Sequence, residues 1–85
     1  MRSSVFLITE YGKIHVQLRE ILERKNITRY ALAKKANTNF DVIDRWWNDN
    51  VEKIDADVLA RICNVLECEV EDILEYRNVG KGCGG

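Results

Sequence analysis

The feature that most constrains this chain is a long interval, residues 13–79, that contains neither glycine nor proline. The chain has no proline at all, and four of its five glycines lie between positions 80 and 85. Glycine and proline are the residues least compatible with a helix interior, so the interval permits nearly continuous helix. Other residues must then end the helices. Asparagine tolerates the left-handed conformation of a helix end, and three asparagines are suitably spaced: Asn26, Asn37 and Asn50.

Apolar residues within this interval recur at the i, i+3, i+4 spacing of one helix face. The third such pattern consists of Ile43, Trp46 and Trp47, and it predicts that both tryptophans are buried. Residues that commonly cap helices precede several of the patterns. The first predicted helix runs from about Val16 to Lys25, and the fifth from about Val70 to Tyr76. The three helices between them are predicted to begin after Thr28, Asn39 and Asp55.

The N-terminal part favours extended structure instead. Val5–Thr9 and Ile14–Val16 are rich in β-branched residues and flank Gly12, so they predict a short hairpin. A lone hairpin is weak in water, and this one would need support from the helices, from residues 51–54 or from a second subunit. The predicted organisation is an N-terminal extension (1–12), one helical domain (13–78) and a flexible tail (79–85).

Composition narrows the class of protein. With 46% apolar and 32% charged residues, the chain is typical of one small globular domain. It lacks both an apolar run long enough to cross a bilayer and a secretory leader, so we expect a cytoplasmic protein without a membrane partner. The chain has three cysteines and no C-x-x-C pair, so we expect it to have neither a disulfide framework nor a metal site. One histidine and no glycine-rich phosphate loop predict a protein that is not an enzyme and needs no cofactor or small-molecule ligand.

The net charge of −1 is unevenly distributed along the chain. Residues 13–36 contain seven basic and two acidic side chains, whereas residues 37–85 contain five basic and eleven acidic ones. A positive half of this kind can face a polyanion such as nucleic acid.

The stretch from Thr28 to Asn50, TRYALAKKANTNFDVIDRWWNDN, is predicted to form two short helices with a tight bend at Asn37. With the five-helix layout, it resembles the lambda repressor and Cro-like helix-turn-helix family over about residues 13–76. The family's apolar-alanine pair corresponds to Leu32-Ala33, its turn glycine to Asn37, and its two core positions in the second motif helix to Ile43 and Trp46. Thr38 departs from the family's aliphatic preference, so it must find a hydrogen-bond partner or stay partly exposed.

The resemblance implies an all-α, five-helix lambda-repressor-like DNA-binding domain, with a possible short N-terminal strand or hairpin. It implies a transcriptional regulator, expected to be a repressor, that lays helix 40–49 in the major groove of double-stranded DNA and acts as a homodimer. The expected base contacts are Phe40, Asp41, Asp44 and Arg45. The expected phosphate contacts are Arg29, Asn39, Asn48 and Lys53, with Lys34 and Lys35 as more distant support.

The charge of the second motif helix leaves an alternative open. Residues 40–49 contain three aspartates, at positions 41, 44 and 49, against the single basic residue Arg45. Carboxylates brought to a polyanion cost free energy unless each finds a donor. The alternative is an antitoxin-like protein-interaction module on the same scaffold, with weak or no DNA binding.

Overall fold

The structure is a computed structural model and describes residues 11–78. This part of the chain forms five helices and two short strands, which confirms the predicted five-helix class with a strand at its N-terminal end. Within residues 11–78, no helix has the length and apolarity needed to cross a membrane. In chain order the elements are β1 (Lys13–Val16), α1 (Leu18–Lys25), α2 (Arg29–Lys35), α3 (Phe40–Trp47), α4 (Ala56–Leu66), α5 (Val70–Ile73) and β2 (Leu74–Arg77).

Two of the predicted caps close the starts of helices through their side chains. Thr28 Oγ1 accepts a hydrogen bond from the Ala31 N–H at 3.0 Å at the start of α2. Asp55 Oδ1 accepts from the N–H groups of Asp57 and Val58, at 2.9 and 3.3 Å, at the start of α4. These bonds satisfy N–H groups that have no partner inside the helix, so the local sequence fixes where each helix begins.

Left-handed residues follow the first four helices, and the prediction was right at two of three positions. Asn26 and Asn37 have φ values of 59° and 55°. The third prediction, Asn50, is wrong by one residue, because Asp49 takes this conformation with a φ of 58°. Glu67, which the sequence did not single out, ends α4 with a φ of 53°.

The C-terminal part of the predicted fifth helix is a strand, so that prediction is wrong beyond Ile73. β2 pairs antiparallel with β1, in the register Lys13 to Arg77 and Val16 to Leu74. Val16 therefore belongs to β1 and not to the first helix. The other half of the predicted hairpin, Val5–Thr9, lies outside the described residues.

The start of β1 approaches β2 closely. Gly12 donates its N–H to the Tyr76 hydroxyl at 2.9 Å. A Cβ atom at this position would lie 1.9 Å from the Arg77 carbonyl oxygen, so only glycine fits here without a backbone shift.

One apolar core joins all five helices to the sheet. Trp47 packs against its edge and is only half-buried, so the prediction that it is buried is wrong in degree. Cys63 and Cys68 are half-buried against the same core. The buried residues are Val16, Leu18, Ile21, Leu22, Leu32, Ala33, Ala36, Ile43, Trp46, Ile62, Leu66 and Ile73.

Candidate nucleic-acid interface

Helices α2 and α3 form a compact bent pair. Ala33 is 5% exposed where the two helices meet, and its carbonyl accepts a hydrogen bond from the Thr38 N–H at 3.0 Å. Ile43 and Trp46 on the inner face of α3 are buried, as predicted. Thr38 is half-buried and so remains partly wet, which is one of the two outcomes expected for it.

Arg61 of α4 supports this bend from outside the pair. Its guanidinium donates to the carbonyl oxygens of Ala36 and Asn37, at 3.1 and 2.9 Å, and to the Asp57 carboxylate at 2.9 Å. These carbonyls lie at the end of α2, where intrahelical partners run out. The bend is therefore held by α4 as well as by its own backbone, a role that the sequence analysis missed.

The outer face of α3 carries polar and aromatic side chains. Phe40, Asp41, Arg45 and Asn48 are exposed on it, and Asp44 is half-buried. Asn48 donates its side-chain N–H to the Asp44 carbonyl oxygen at 2.9 Å. Among residues 11–78, Asp41 and Arg45 form no salt bridge, so both side chains are available to a ligand.

Arg29 connects α2 to this face. Its Nη1 donates to Asp44 Oδ1 at 2.5 Å, and its guanidinium carbon lies 5.7 Å from the Phe40 ring centre and 4.8 Å from that of Trp47. Cation–π contacts of this length are attractive. A guanidinium has five N–H donors, and the bond to Asp44 uses one of those of Arg29.

Two arginines lie against the Trp47 ring. The guanidinium carbon of Arg19, on α1, is 5.2 Å from the Trp47 ring centre, close to the distance found for Arg29. The sequence analysis assigned Trp47 only to the core and did not single out Arg19. The sequence does contain a signal for the half-buried position of Trp47. It follows the buried Trp46 by one residue, and this offset places it at the margin of the buried face of the helix.

Asp49 fixes the C-terminal end of α3 to the sheet. Its Oδ1 accepts the Val16 N–H at 2.7 Å, and its Oδ2 lies 2.7 Å from His15 Nδ1. Partial burial works to raise the pKa of Asp49, but the bonds from Val16 and His15 and the positive charge of Arg77 outweigh it and lower that pKa. Sequence analysis missed this link, because Val16 and His15 lie 33 and 34 residues before Asp49 in the chain.

Comparison with known proteins identifies the domain. The profile of the Cro/C1-type helix-turn-helix DNA-binding domain matches residues 17–78. The chain belongs to this family. No curated protein matches it.

Two solved structures share the fold of this Cro/C1-type domain. One is a proposed DNA-binding protein from Bacteroides fragilis, with a TM-score of 0.66 and 17% identity, covering 74% of this chain and 100% of that one. The other is the transcriptional regulator VanUg, with a TM-score of 0.67 and 18% identity, covering 92% of this chain and 100% of that one. At such identities the likeness concerns the fold, which is the lambda-repressor-like one that the sequence resemblance implied.

The remaining predicted site residues surround the bent pair of the Cro/C1-type domain. Asn39 precedes α3 at the cap position but makes no side-chain cap bond. Lys53 is exposed in the loop after α3, where it lines a shallow depression together with Arg45. Lys34 and Lys35 are exposed in the last turn of α2. Tyr30, which was not predicted, is 68% exposed, and its ring centre lies 6.5 Å from that of Phe40.

Replacing Asp49 with asparagine is expected to reduce the acid sensitivity of the Cro/C1-type domain. A carboxyl whose pKa is lower in the folded than in the unfolded chain stabilises the fold above its unfolded pKa. That contribution is lost as the pH falls through the folded value. Asparagine also accepts the left-handed conformation, so D49N keeps the backbone. Urea unfolding between pH 2 and 7 measures the effect, and identical pH profiles for D49N and the wild type would contradict the assignment.

Proposed function

We propose that the chain is a sequence-specific DNA-binding transcriptional regulator that inserts α3 into the major groove and represses the genes it binds near. The observation that carries the proposal is the two-sided character of α3. Ile43 and Trp46 fix its inner face in the core, while Phe40, Asp41 and Arg45 stand on its outer face. The major groove admits one helix, and family membership adds that such pairs of helices belong to DNA-binding domains.

Three side chains of α3 have the chemistry to read bases. The Arg45 guanidinium can bond to guanine O6 and N7 as a fork. The Asp41 carboxylate needs a donor and finds one in the cytosine amino group. Phe40 suits the methyl group of thymine. Asp41 and Arg45 are one helical turn apart, so they address base pairs close together in one half-site.

Asp44 has a different part in the proposal. Its carboxylate is already bonded to Arg29, so we assign to it the positioning of Arg29 instead of a base contact. Arg29, oriented by Asp44 and the two rings, directs its remaining donors to a backbone phosphate. Asn39, Asn48 and Lys53 complete the proposed phosphate contacts, with Lys34 and Lys35 farther out. Such contacts set the register on the duplex and supply much of the affinity.

The ion pairs weaken the case for the alternative, an antitoxin-like interaction module. That alternative arose from the three aspartates of residues 40–49. Asp44 is paired with Arg29, and Asp49 with His15 and the Val16 N–H. Among the contacts of residues 11–78, Asp41 is then the one carboxylate of the three without a partner, and we assign to it the amino group of one cytosine. We propose that the protein acts as a homodimer on a two-fold symmetric operator, because one small domain makes few phosphate contacts.

Selection of bound duplexes from a random pool, followed by fluorescence anisotropy at several salt concentrations, tests the proposal. The expected result is a two-fold symmetric consensus with a guanine and a cytosine close together in each half-site. A reporter carrying this consensus within its promoter should be expressed less when the protein is present. Recovery of no consensus, together with affinity independent of salt and co-purification of a protein partner, would favour the interaction module.

Replacing Arg29 with alanine should weaken binding to all DNA sequences alike. A lost phosphate contact reduces the slope of log K against log salt by about one, without relaxing sequence preference. R24A, which removes an exposed arginine of α1 outside the proposed contact set, is the matched control and should leave the slope unchanged. D44N should have a smaller effect than R29A, because it loosens Arg29 without removing it. A change of base preference in R29A would show that the phosphate assignment is wrong.

A further inference from the structure

Within residues 11–78, the outer edge of β2 has backbone groups without a hydrogen-bond partner. In an antiparallel pair, hydrogen-bonded residue pairs alternate with non-hydrogen-bonded ones. Gln17 donates its N–H to the Ile73 carbonyl at 2.6 Å, and the register then makes Ile14–Tyr76 and Val16–Leu74 non-hydrogen-bonded pairs. The N–H and C=O of Tyr76 therefore point away from β1. Val16 on the other strand follows the same rule, because its N–H points outward to Asp49.

The two faces of the sheet differ in chemistry. One face continues the core outward from Val16 and Leu74 to Ile14 and Tyr76, which are 52% and 55% exposed. Tyr11, beside them in the same surface groove, is 70% exposed. In the part of the chain that the structure describes, the core thus extends beyond the helices as an exposed apolar row.

The opposite face of β2 is charged. Glu75 and Arg77 lie two residues apart on it, with their side chains bonded to each other at 2.7 Å. They flank Tyr76 symmetrically, with a negative charge before it and a positive charge after it. A strand with this order of charges is complementary to an antiparallel copy of itself.

We propose that two copies of the chain associate by antiparallel pairing of β2 with β2 of the second copy, centred on Tyr76. This strand pairing is the contact surface of the homodimer proposed above, and in that respect it rests on the proposed function. Each Tyr76 then exchanges both backbone hydrogen bonds with its counterpart, as the hydrogen-bonded pair at the centre of an antiparallel ladder requires. Two sheets become one four-stranded sheet with two-fold symmetry.

This register matches both faces of the sheet. On the charged face, Glu75 of each copy lies opposite Arg77 of the other, and opposite charges on facing strands are stabilising. On the apolar face, the two Tyr76 side chains meet at the axis with an Ile14 on either side. Pairing at an open sheet edge also removes a site that would otherwise invite non-specific association.

Charge reversal tests the pairing. In E75R the ladder places positive side chains opposite each other at both ends, and in R77E it places negative ones there. Each variant alone is expected to be monomeric by sedimentation velocity at concentrations where the wild type has twice the monomer mass. An equimolar mixture of the two should form a heterodimer in native mass spectrometry, and the double variant E75R/R77E should associate with itself again.

A second pair of variants addresses the backbone. Tyr76→Pro removes the outward N–H, which the ladder with β1 does not use, and should abolish association. Tyr76→Phe keeps both backbone groups and the ring, loses only the hydroxyl that accepts the Gly12 N–H, and should associate like the wild type. Circular dichroism of every variant checks that the helices are formed.

Three outcomes would contradict the proposed pairing of β2 with β2. They are a wild type that stays monomeric at all concentrations, charge-reversal variants that self-associate unaided, and a mixture that yields no heterodimer. DNA binding is measured separately on the same samples, because Glu75, Tyr76 and Arg77 lie outside the proposed contact set. A dimer that forms through β2 but selects no DNA consensus would refute the proposed function and leave this surface standing.

Discussion

Replacing Trp46 with alanine is expected to destabilise the domain by about 3–5 kcal/mol, the range typical of a buried tryptophan. Trp46 is 3% exposed and lies in the core shared by the helices and the sheet. A domain of this size has a total stability of about 4–13 kcal/mol. The loss is therefore a large fraction of the total stability, and the variant should unfold at a much lower urea concentration than the wild type. Urea unfolding followed by circular dichroism measures the change.

Tyr30 offers a matched control for this experiment. It is also aromatic but is 68% exposed, and surface substitutions usually change stability by less than about 0.5 kcal/mol. Y30A should therefore unfold close to the wild type. Equal losses in Y30A and W46A would contradict the burial of Trp46 in the core.

Replacing Arg45 with alanine is expected to cost about 1–3 kcal/mol at a single base position and to relax the preference for guanine there. Arg45 is exposed on α3, and within residues 11–78 no salt bridge competes for its guanidinium. In the proposed complex the variant loses a fork of two bonds to guanine, whereas the proposed phosphate contacts remain. Anisotropy with the selected consensus, and with duplexes altered at each position in turn, measures the change.

The neighbouring Lys53 is the control for R45A. It is exposed beside Arg45 but is assigned to a phosphate. K53A should weaken all duplexes equally and keep the base preference. If R45A also weakened all duplexes equally, Arg45 would be a phosphate contact and the reading residue would have to be sought elsewhere on α3.

Local patterns were sufficient to predict the helical part of the fold. The starts of α2 and α4 follow from Thr28 and Asp55, because a cap acts on N–H groups two or three residues away. Asn39 precedes α3 as predicted, but its side chain makes no cap bond. The bend at Asn37 follows from its tolerance of positive φ. Each of these signals lies within a few residues of the structure it determines, which is why one sequence contains enough information.

The sheet could not be predicted in the same way. Leu74–Arg77 contains residues that a helix accepts well, and the predicted helix therefore continued to Tyr76. The chain is extended there because β1, about sixty residues earlier, pairs with it. Strand preference depends largely on such cross-strand neighbours, and a local reading of the sequence does not include them.

The same distinction applies to the candidate site. The outward position of Phe40, Asp41 and Arg45 followed from helical periodicity alone. The bond between Arg29 and Asp44 joins residues 15 positions apart and depends on how α2 packs against α3. Sequence analysis therefore named both side chains as expected DNA contacts, Arg29 to a phosphate and Asp44 to a base, and did not predict the bond between them.

The carboxylate of Asp49 has a consequence for the geometry of an assembled pair. It joins the end of α3 to β1, and β1 is hydrogen-bonded to β2. If two copies meet along β2, the tilt and separation of their two α3 helices are set by strands and not by a flexible linker. The distance between half-sites in the operator would then be rigidly defined, and inserting one base pair between them should reduce affinity sharply.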